Sequence, residues 1–246
     1  AIEEKDNVLQ LYFDVMHFLN MYEGLNDKYL MYTDYSLEKD LVIKLYCVDP
    51  SDNLKNYLDK CKSTIFFSAT LLPILYYRKM LGGRKEDYAI YAPSPFPSKN
   101  KLVMVGNEVS SKYSRRGEEE YRKIVEYIKN FTEGKVGNYL VFFPSYKMLE
   151  DIALIASEKL SNIIIQNNSM NEEEREDFLG QFVKNPRITK IGFCVLGGIF
   201  GEGIDLKEDR LIGVVVVGTG LPMVESEREL LKDYYDKKSG EGFNYA

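Results

Sequence analysis

Gly137-Asn138-Tyr139-Leu140-Val141-Phe142-Phe143-Pro144-Ser145-Tyr146 is the stretch on which the fold turns. Tyr139 to Phe143 is an apolar run of strand length, and Pro144 ends it because proline cannot donate to a sheet ladder. Ser145 then stands at the N-cap of a helix whose apolar periodicity continues to Leu160. The same alternation extends outward from it. Strands are expected at Leu102 to Val105, Asn162 to Ile165, Ile188 to Leu196 and Leu211 to Val217. Helices are expected at Glu118 to Phe131, Tyr146 to Leu160 and Glu172 to Val183, the last opening on Asn171 and Glu174 at capping-box spacing. Short apolar strands alternating with amphipathic helices predict an α/β fold: a parallel sheet with helices on both faces.

The first third is mixed. Leu11, Val15, Phe18 and Leu19 predict a helix over Asn7 to Met21, followed by β-rich stretches at Tyr29 to Tyr35 and Leu41 to Val48. Asp49-Pro50-Ser51 closes the second of these, with Ser51 or Asp52 expected to cap a helix reaching Cys61. Thr64 to Phe67 is expected as a buried strand running into Ser68-Ala69-Thr70. Pro73 suits the first turn of a helix that stops at Gly82-Gly83. Residues 92 to 100 hold three prolines and no periodicity, which places a domain boundary there and divides the chain into 1–92 and 93–246.

Composition narrows the classes. Of 246 residues, 45% are hydrophobic and 28% charged, the profile of a folded, non-membrane protein. No apolar run approaches the ~20 residues of a membrane span, and the charged start, Ala1 to Asp6, precedes no signal-peptide core. A cytoplasmic location and no membrane partner are therefore expected. Cys47, Cys61 and Cys194 are scattered, and the single histidine, His17, has no clustered partners, so no metal site is expected. The cysteines read as small buried apolar side chains. The net charge of −6 argues against a whole-surface affinity for nucleic acid but permits a local basic groove.

Ligands of parallel sheets gather at the carboxyl ends of strands. Three strand-end loops follow. Ser68-Ala69-Thr70 is either an ordinary turn in which Thr70 caps the next helix, or a pair of hydroxyls bridging loops or a phosphate. Ser145 either caps its own helix only, or helps that helix N-terminus receive a phosphate. Gly197-Gly198-Ile199-Phe200-Gly201-Glu202-Gly203-Ile204-Asp205 combines four glycines with two acids. Its N–H groups can approach an anion, and Glu202 and Asp205 can accept bonds from a ribose, an arginine or a water. The spacing is not that of a dinucleotide fingerprint.

In order, these pieces resemble the XPD/DinG branch of superfamily 2 DNA helicases. The resemblance runs from about Leu45 to about Val224 and is carried by several stretches. These are Leu45 to Ser51, Ser63 to Pro73 with its S-A-T-L core, Ser94-Pro95-Phe96-Pro97, Gly137 to Tyr146, Gly197 to Asp205, and Val217-Gly218-x-Gly220-Leu221-Pro222. It implies a RecA-like second motor domain after an N-terminal mixed segment that ends motor domain one. It also implies ATP and Mg²⁺ in the parent, and single-stranded or forked DNA as partner. Ser68, Ala69, Thr70, Gly203 and Asp205 would then serve ATP binding and coupling. Pro144, Ser145, Tyr146, Gly198, Phe200, Glu202, Arg115 and Arg116 would face DNA, although Lys112, Arg115 and Arg116 fit a solvated basic face equally well.

The sequence has no G-x-x-x-x-G-K-[S/T], no Walker B box, no four-cysteine cluster set and no Q-x-x-G-R-x-x-R. This predicts a fragment of a longer helicase with no complete catalytic set, which also lacks its first motor domain as a partner. Two alternatives remain: a stand-alone nucleotide-binding α/β domain, and a non-catalytic helicase-like interaction module.

Overall fold

The computed structural model describes residues 2–35, 39–68, 70–220 and 226–245. In chain order the elements are α1 (Ile2–Glu23), β1 (Tyr29–Tyr35), β2 (Leu41–Cys47), α2 (Ser51–Leu58), α3 (Ile74–Met80), α4 (Glu118–Glu133) and β3 (Asn138–Phe143). They continue with α5 (Tyr146–Ala156), β4 (Ile163–Ile165), α6 (Glu172–Gly180), β5 (Lys190–Val195), β6 (Gly213–Val216), α7 (Ser226–Ser239) and α8 (Gly242–Tyr245). Two compact units result: Ala1–Pro97 with Val224–Ala246, and Ser98–Met223.

In the first unit β1 and β2 pair antiparallel, Tyr29 opposite Cys47 and Tyr35 opposite Leu41. After β2 the chain turns at Asp49, which is 3% exposed. Its carboxylate accepts the Ser51 N–H at 3.1 Å and lies 3.8 Å from Lys28 Nζ and 3.6 Å from Lys238 Nζ. Burial alone would raise the Asp49 pKa, but the bonds from Ser51 and the two ammonium groups outweigh it and hold the carboxyl below its usual range. Lys238 belongs to α7, which docks through Tyr235: the hydroxyl donates to the Val48 carbonyl at 3.1 Å, and the ring stacks on Tyr245 at 3.7 Å.

Four expectations for local structure are corrected. Neither Ser51 nor Asp52 caps α2: Pro50 occupies the N-cap without a side-chain bond, Asp49 takes the Ser51 N–H, and the Ser51 hydroxyl accepts from Lys28 at 2.8 Å. Thr64 to Phe67 is not a buried strand, with Ile65 83% and Phe67 89% exposed. Leu102 to Val105 is not a strand either, and Leu102 is 81% exposed. The physical reason is common to both: an apolar run becomes a strand only beside a partner ladder, and no described strand lies alongside either segment. Finally, Cys194 is buried, but Cys61 is exposed and Cys47 half-buried. Cys61 follows the exposed C-terminal end of α2 instead of facing a core.

The second unit carries the sheet. Its order is β4-β5-β3-β6, every neighbour parallel, with Val141 opposite both Phe193 and Val215. Alternation along β3 sends side chains to two cores. Val141 and Phe143 pack with Ile124, Val125 and Ile128 of α4 and Met148, Leu149 and Ile152 of α5. Leu140 and Phe142 pack on the opposite face with Phe178 of α6, Phe182, Cys194 and Phe200. The sheet is thus covered by helices on both faces. The two expected caps hold: Ser145 accepts from the Met148 N–H at 3.3 Å, and Asn171 and Glu174 form a full capping box at 2.9 and 2.8 Å.

Candidate nucleic-acid interface

Because all four strands run in one direction, their carboxyl ends open on one edge, and the loops after them lie side by side. Pro144 leaves β3 and α5 begins at Tyr146, so the first N–H groups of that helix face this edge without intrahelical partners. Ser145 does cap its own helix, and the cap uses only the Met148 N–H. Tyr146 is half-buried against the α4/α5 core.

The glycine-rich loop after β5 is held at two points. Phe200 is fully buried, stacked 4.4 Å from Phe178. Its ring therefore serves as a core anchor, and only its backbone is left to reach a ligand. Three residues on, Gly203 has φ +70°, a left-handed conformation that favours glycine, and its carbonyl accepts from Arg175 Nη2 of α6 at 3.2 Å. Glu202 lies exposed between these anchors. Asp205, exposed as well, pairs with Lys207 at 3.0 Å.

Gln166, immediately after β4, ties the loops together and was not among the expected residues. It is 2% exposed. Its Oε1 accepts the Val195 N–H at 2.9 Å, and its Nε2 donates to the Tyr146 hydroxyl at 2.7 Å. Gly198 leaves room for this amide: a Cβ there would stand 3.0 Å from Gln166 Nε2 and 3.0 Å from the Val195 carbonyl. The one signal available in the sequence was position, a polar residue directly following an apolar strand.

Arg115 and Arg116 lie on a segment that approaches the end of β6, where Ser111 occupies the space a side chain at Gly218 would need. Arg115 Nη2 pairs with the buried Glu120 at 3.0 Å, and Arg116 donates to the Ser111 carbonyl at 3.2 Å and covers the Tyr113 ring. Both guanidinium groups are thus held by local partners, with Lys112 exposed beside them.

Ser68 and Thr70 belong to the other unit. Their hydroxyls are 3.1 Å apart, and Ser68 Oγ accepts the Thr70 N–H at 3.1 Å. Thr70 does not cap α3, whose N-cap is Pro73. Ala69, Leu221 and Pro222 lie outside the described residues. Among the described residues no group of three His, Cys, Asp or Glu could hold a metal ion, and no helix is long and apolar enough to cross a membrane.

Comparison with known proteins bears on the fold. The family model for the helicase C-terminal domain matches residues 128–246. The chain is 23% identical over 246 residues to the ATP-dependent DNA helicase CHL1 of Vanderwaltozyma polyspora, covering 94% of this chain and 29% of that protein. It is 27% identical over 204 residues to the ATP-dependent DNA helicase XPD of Sulfolobus acidocaldarius, covering 80% and 35%. The chain thus spans about a third of these relatives' length. A solved structure described as XPD_APO shares the fold at a TM-score of 0.59 and 22% identity, over 92% of this chain and 44% of that one. Residues 128–246 thus match the helicase C-terminal domain family, and the chain is similar to XPD helicases in sequence and shares their fold.

Proposed function

We propose that this chain is the C-terminal motor portion of an ATP-dependent DNA helicase that translocates on single strands and unwinds duplex, with residues 93–246 as motor domain two and 1–92 completing motor domain one. This division assigns to motor domain two a helix, α7, that packs within the first unit through Tyr235. The observation that carries the reading is the shared carboxyl edge. There Gln166 joins the start of α5 to the end of β5, from which the glycine loop departs, a surface of backbone donors suited to phosphate.

In this reading Pro144, Ser145, Tyr146, Gly198, Phe200 and Glu202 form the single-strand track. Phe200 contributes through its backbone, and Arg115 and Arg116 border the track. Gly203 and Asp205 reach the nucleotide side, and Ser68, Ala69 and Thr70 couple the two. The parent takes ATP with Mg²⁺ as substrate, acts in the cytoplasm and needs the other motor domain as partner. No donor set for the metal was found among the described residues, so no step of phosphoryl transfer is assigned to them.

The test is direct. In the full-length parent, Asp205→Ala or Glu202→Ala abolishes DNA-stimulated ATP turnover, whereas unaltered turnover sinks the assignment of this loop. The purified 246-residue chain is expected to bind single strands weakly, with steep salt dependence, and to hydrolyse no ATP. Robust hydrolysis by it would favour the stand-alone nucleotide-binding alternative.

A further inference from the structure

An amide side chain has one acceptor end and one donor end, and a hydroxyl has one proton to give. These two facts fix a direction at Gln166. Its Oε1 faces a backbone N–H, that of Val195 at 2.9 Å, and a backbone N–H can only donate. The opposite end is therefore the NH₂ group, and it faces the Tyr146 hydroxyl at 2.7 Å. Tyr146 must accept there, so its own proton points away from Gln166. The choice of amide orientation is imposed by Val195 and not by the tyrosine.

We propose that Gln166 is a positioning residue that sets the polarity of Tyr146, holding its hydroxyl as a hydrogen-bond donor toward a phosphodiester oxygen of single-stranded nucleic acid. The inference rests on the reading of Tyr146 as part of the single-strand track and adds the residue that orients it. A hydroxyl free to rotate serves as donor or acceptor to either neighbour, and phosphate accepts only. Gln166 removes the unproductive alternative before binding, the arrangement that makes a polar contact effective. Its burial keeps water from competing at either end of the amide. Gly198 belongs to the same device, since a Cβ at that position would crowd Nε2.

The discriminating substitution is Gln166→Glu. A glutamate keeps the shape and the bond to Val195, and at pH 8 a carboxyl receiving two donors is ionised. It then accepts the Tyr146 proton and reverses the hydroxyl. Binding of fluorescein-labelled oligothymidylate to the 246-residue chain is measured by anisotropy for the wild type, Gln166→Glu, Tyr146→Phe and the double variant, with thermal unfolding recorded for each. A hydrogen bond to a charged acceptor corresponds to about a tenfold or greater loss in each single variant. In the Tyr146→Phe background Gln166→Glu should cost far less, because no hydroxyl is left to turn. Plain repulsion by the added charge acts equally in both backgrounds and cancels from the comparison.

Wild-type affinity in Gln166→Glu, or losses that multiply in the double variant, would overturn the proposal while leaving the DNA reading standing. An unchanged Tyr146→Phe would overturn it as well, since the hydroxyl would then touch no phosphate. Failure of the wild-type chain to bind the oligonucleotide would remove the DNA reading itself. Gln166→Met, near in volume and with no polar end, serves where the carboxylate unfolds the chain. It too must weaken binding in the wild-type background only, and wild-type affinity in a folded Gln166→Met chain rejects the proposal.

Discussion

Replacing Phe200 by alanine tests whether the glycine loop is fastened by its one fully buried side chain. The ring is fully buried, stacked at 4.4 Å on Phe178, in a cluster that also holds Phe182, Leu140, Phe142 and Cys194. Removing a buried phenylalanine side chain costs about 3–5 kcal/mol, transfer and cavity together. The same cluster contains its own reporter. Burial pushes the Cys194 thiol up to about 12, so in the closed state it presents almost no thiolate at pH 8 and reacts only when the cluster opens.

In a background with Cys47→Ser and Cys61→Ser, labelling of Cys194 by a disulfide reagent reads the opening equilibrium of this face of the sheet. At 1.4 kcal/mol per tenfold, Phe200→Ala should accelerate labelling by roughly two to three powers of ten, up to the ceiling set by the stability of the unit. Phe200→Leu should give about tenfold. Ile199→Ala, next to it but 41% exposed, should change the rate little. An acceleration below about threefold for Phe200→Ala would show that the ring is not the fastening and would refute the anchoring argument.

Other expectations are independent of that cluster. Asn171→Ala deletes half of the capping box of α6 and should lower stability by about 1 kcal/mol in urea unfolding, with Asn171→Ser close to neutral. Arg175→Ala frees the Gly203 carbonyl. Amide exchange at Gly203 to Asp205 should quicken while global stability moves by no more than about 1 kcal/mol, and unchanged exchange would remove Arg175 as a second anchor. Asp49 has a folded pKa below its unfolded value of about 3.9. Its contribution is therefore fully present above that value and lost as pH falls through the folded pKa. Asp49→Asn should flatten the acid limb of the stability curve below about pH 4, and an unchanged limb would show that the Ser51 bonds, Lys28 and Lys238 together do not favour the ionised form.

The parallel sheet was legible because its signals are local. The Tyr139 to Phe143 run, the Ser145 cap and the Asn171–Glu174 box each lie within a few residues, and the structure reproduces them. Thr64 to Phe67 and Leu102 to Val105 show the same local apolar signal yet pair with no described strand. Hydrophobicity therefore marks what a segment would do beside a neighbour and does not supply the neighbour. The site divided along the same line. Loops rich in glycine and acid stood out in sequence. The contacts that set them did not: Gln166 to Tyr146 spans 20 residues, Gln166 to Val195 spans 29 and Arg175 to Gly203 spans 28. No local pattern announces a partner that far along the chain.

Those long-range ties explain a combination that is otherwise contradictory, a glycine-rich segment serving as a defined surface. Four glycines between 197 and 203 lower the barrier to an unusual backbone path, but they also raise the entropy lost in holding it. The chain resolves this with fastenings of different chemistry: the Gln166 amide at Val195 before the loop, the Phe200 ring in the core, and the Arg175 guanidinium on the Gly203 carbonyl. Between the second and third only Gly201 and Glu202 remain, so the exposed carboxylate of Glu202 is displayed from a short, doubly held span. A carboxylate so placed is poor company for phosphate and good company for an arginine or a ribose hydroxyl. In the proposed track the backbone donors of the neighbouring α5 start and the Tyr146 hydroxyl are the groups that would meet phosphate. On the proposed reading the edge is segregated by chemistry along its length, with donors for phosphate at the end of β3 and acceptors for a cation or hydroxyl at the end of β5.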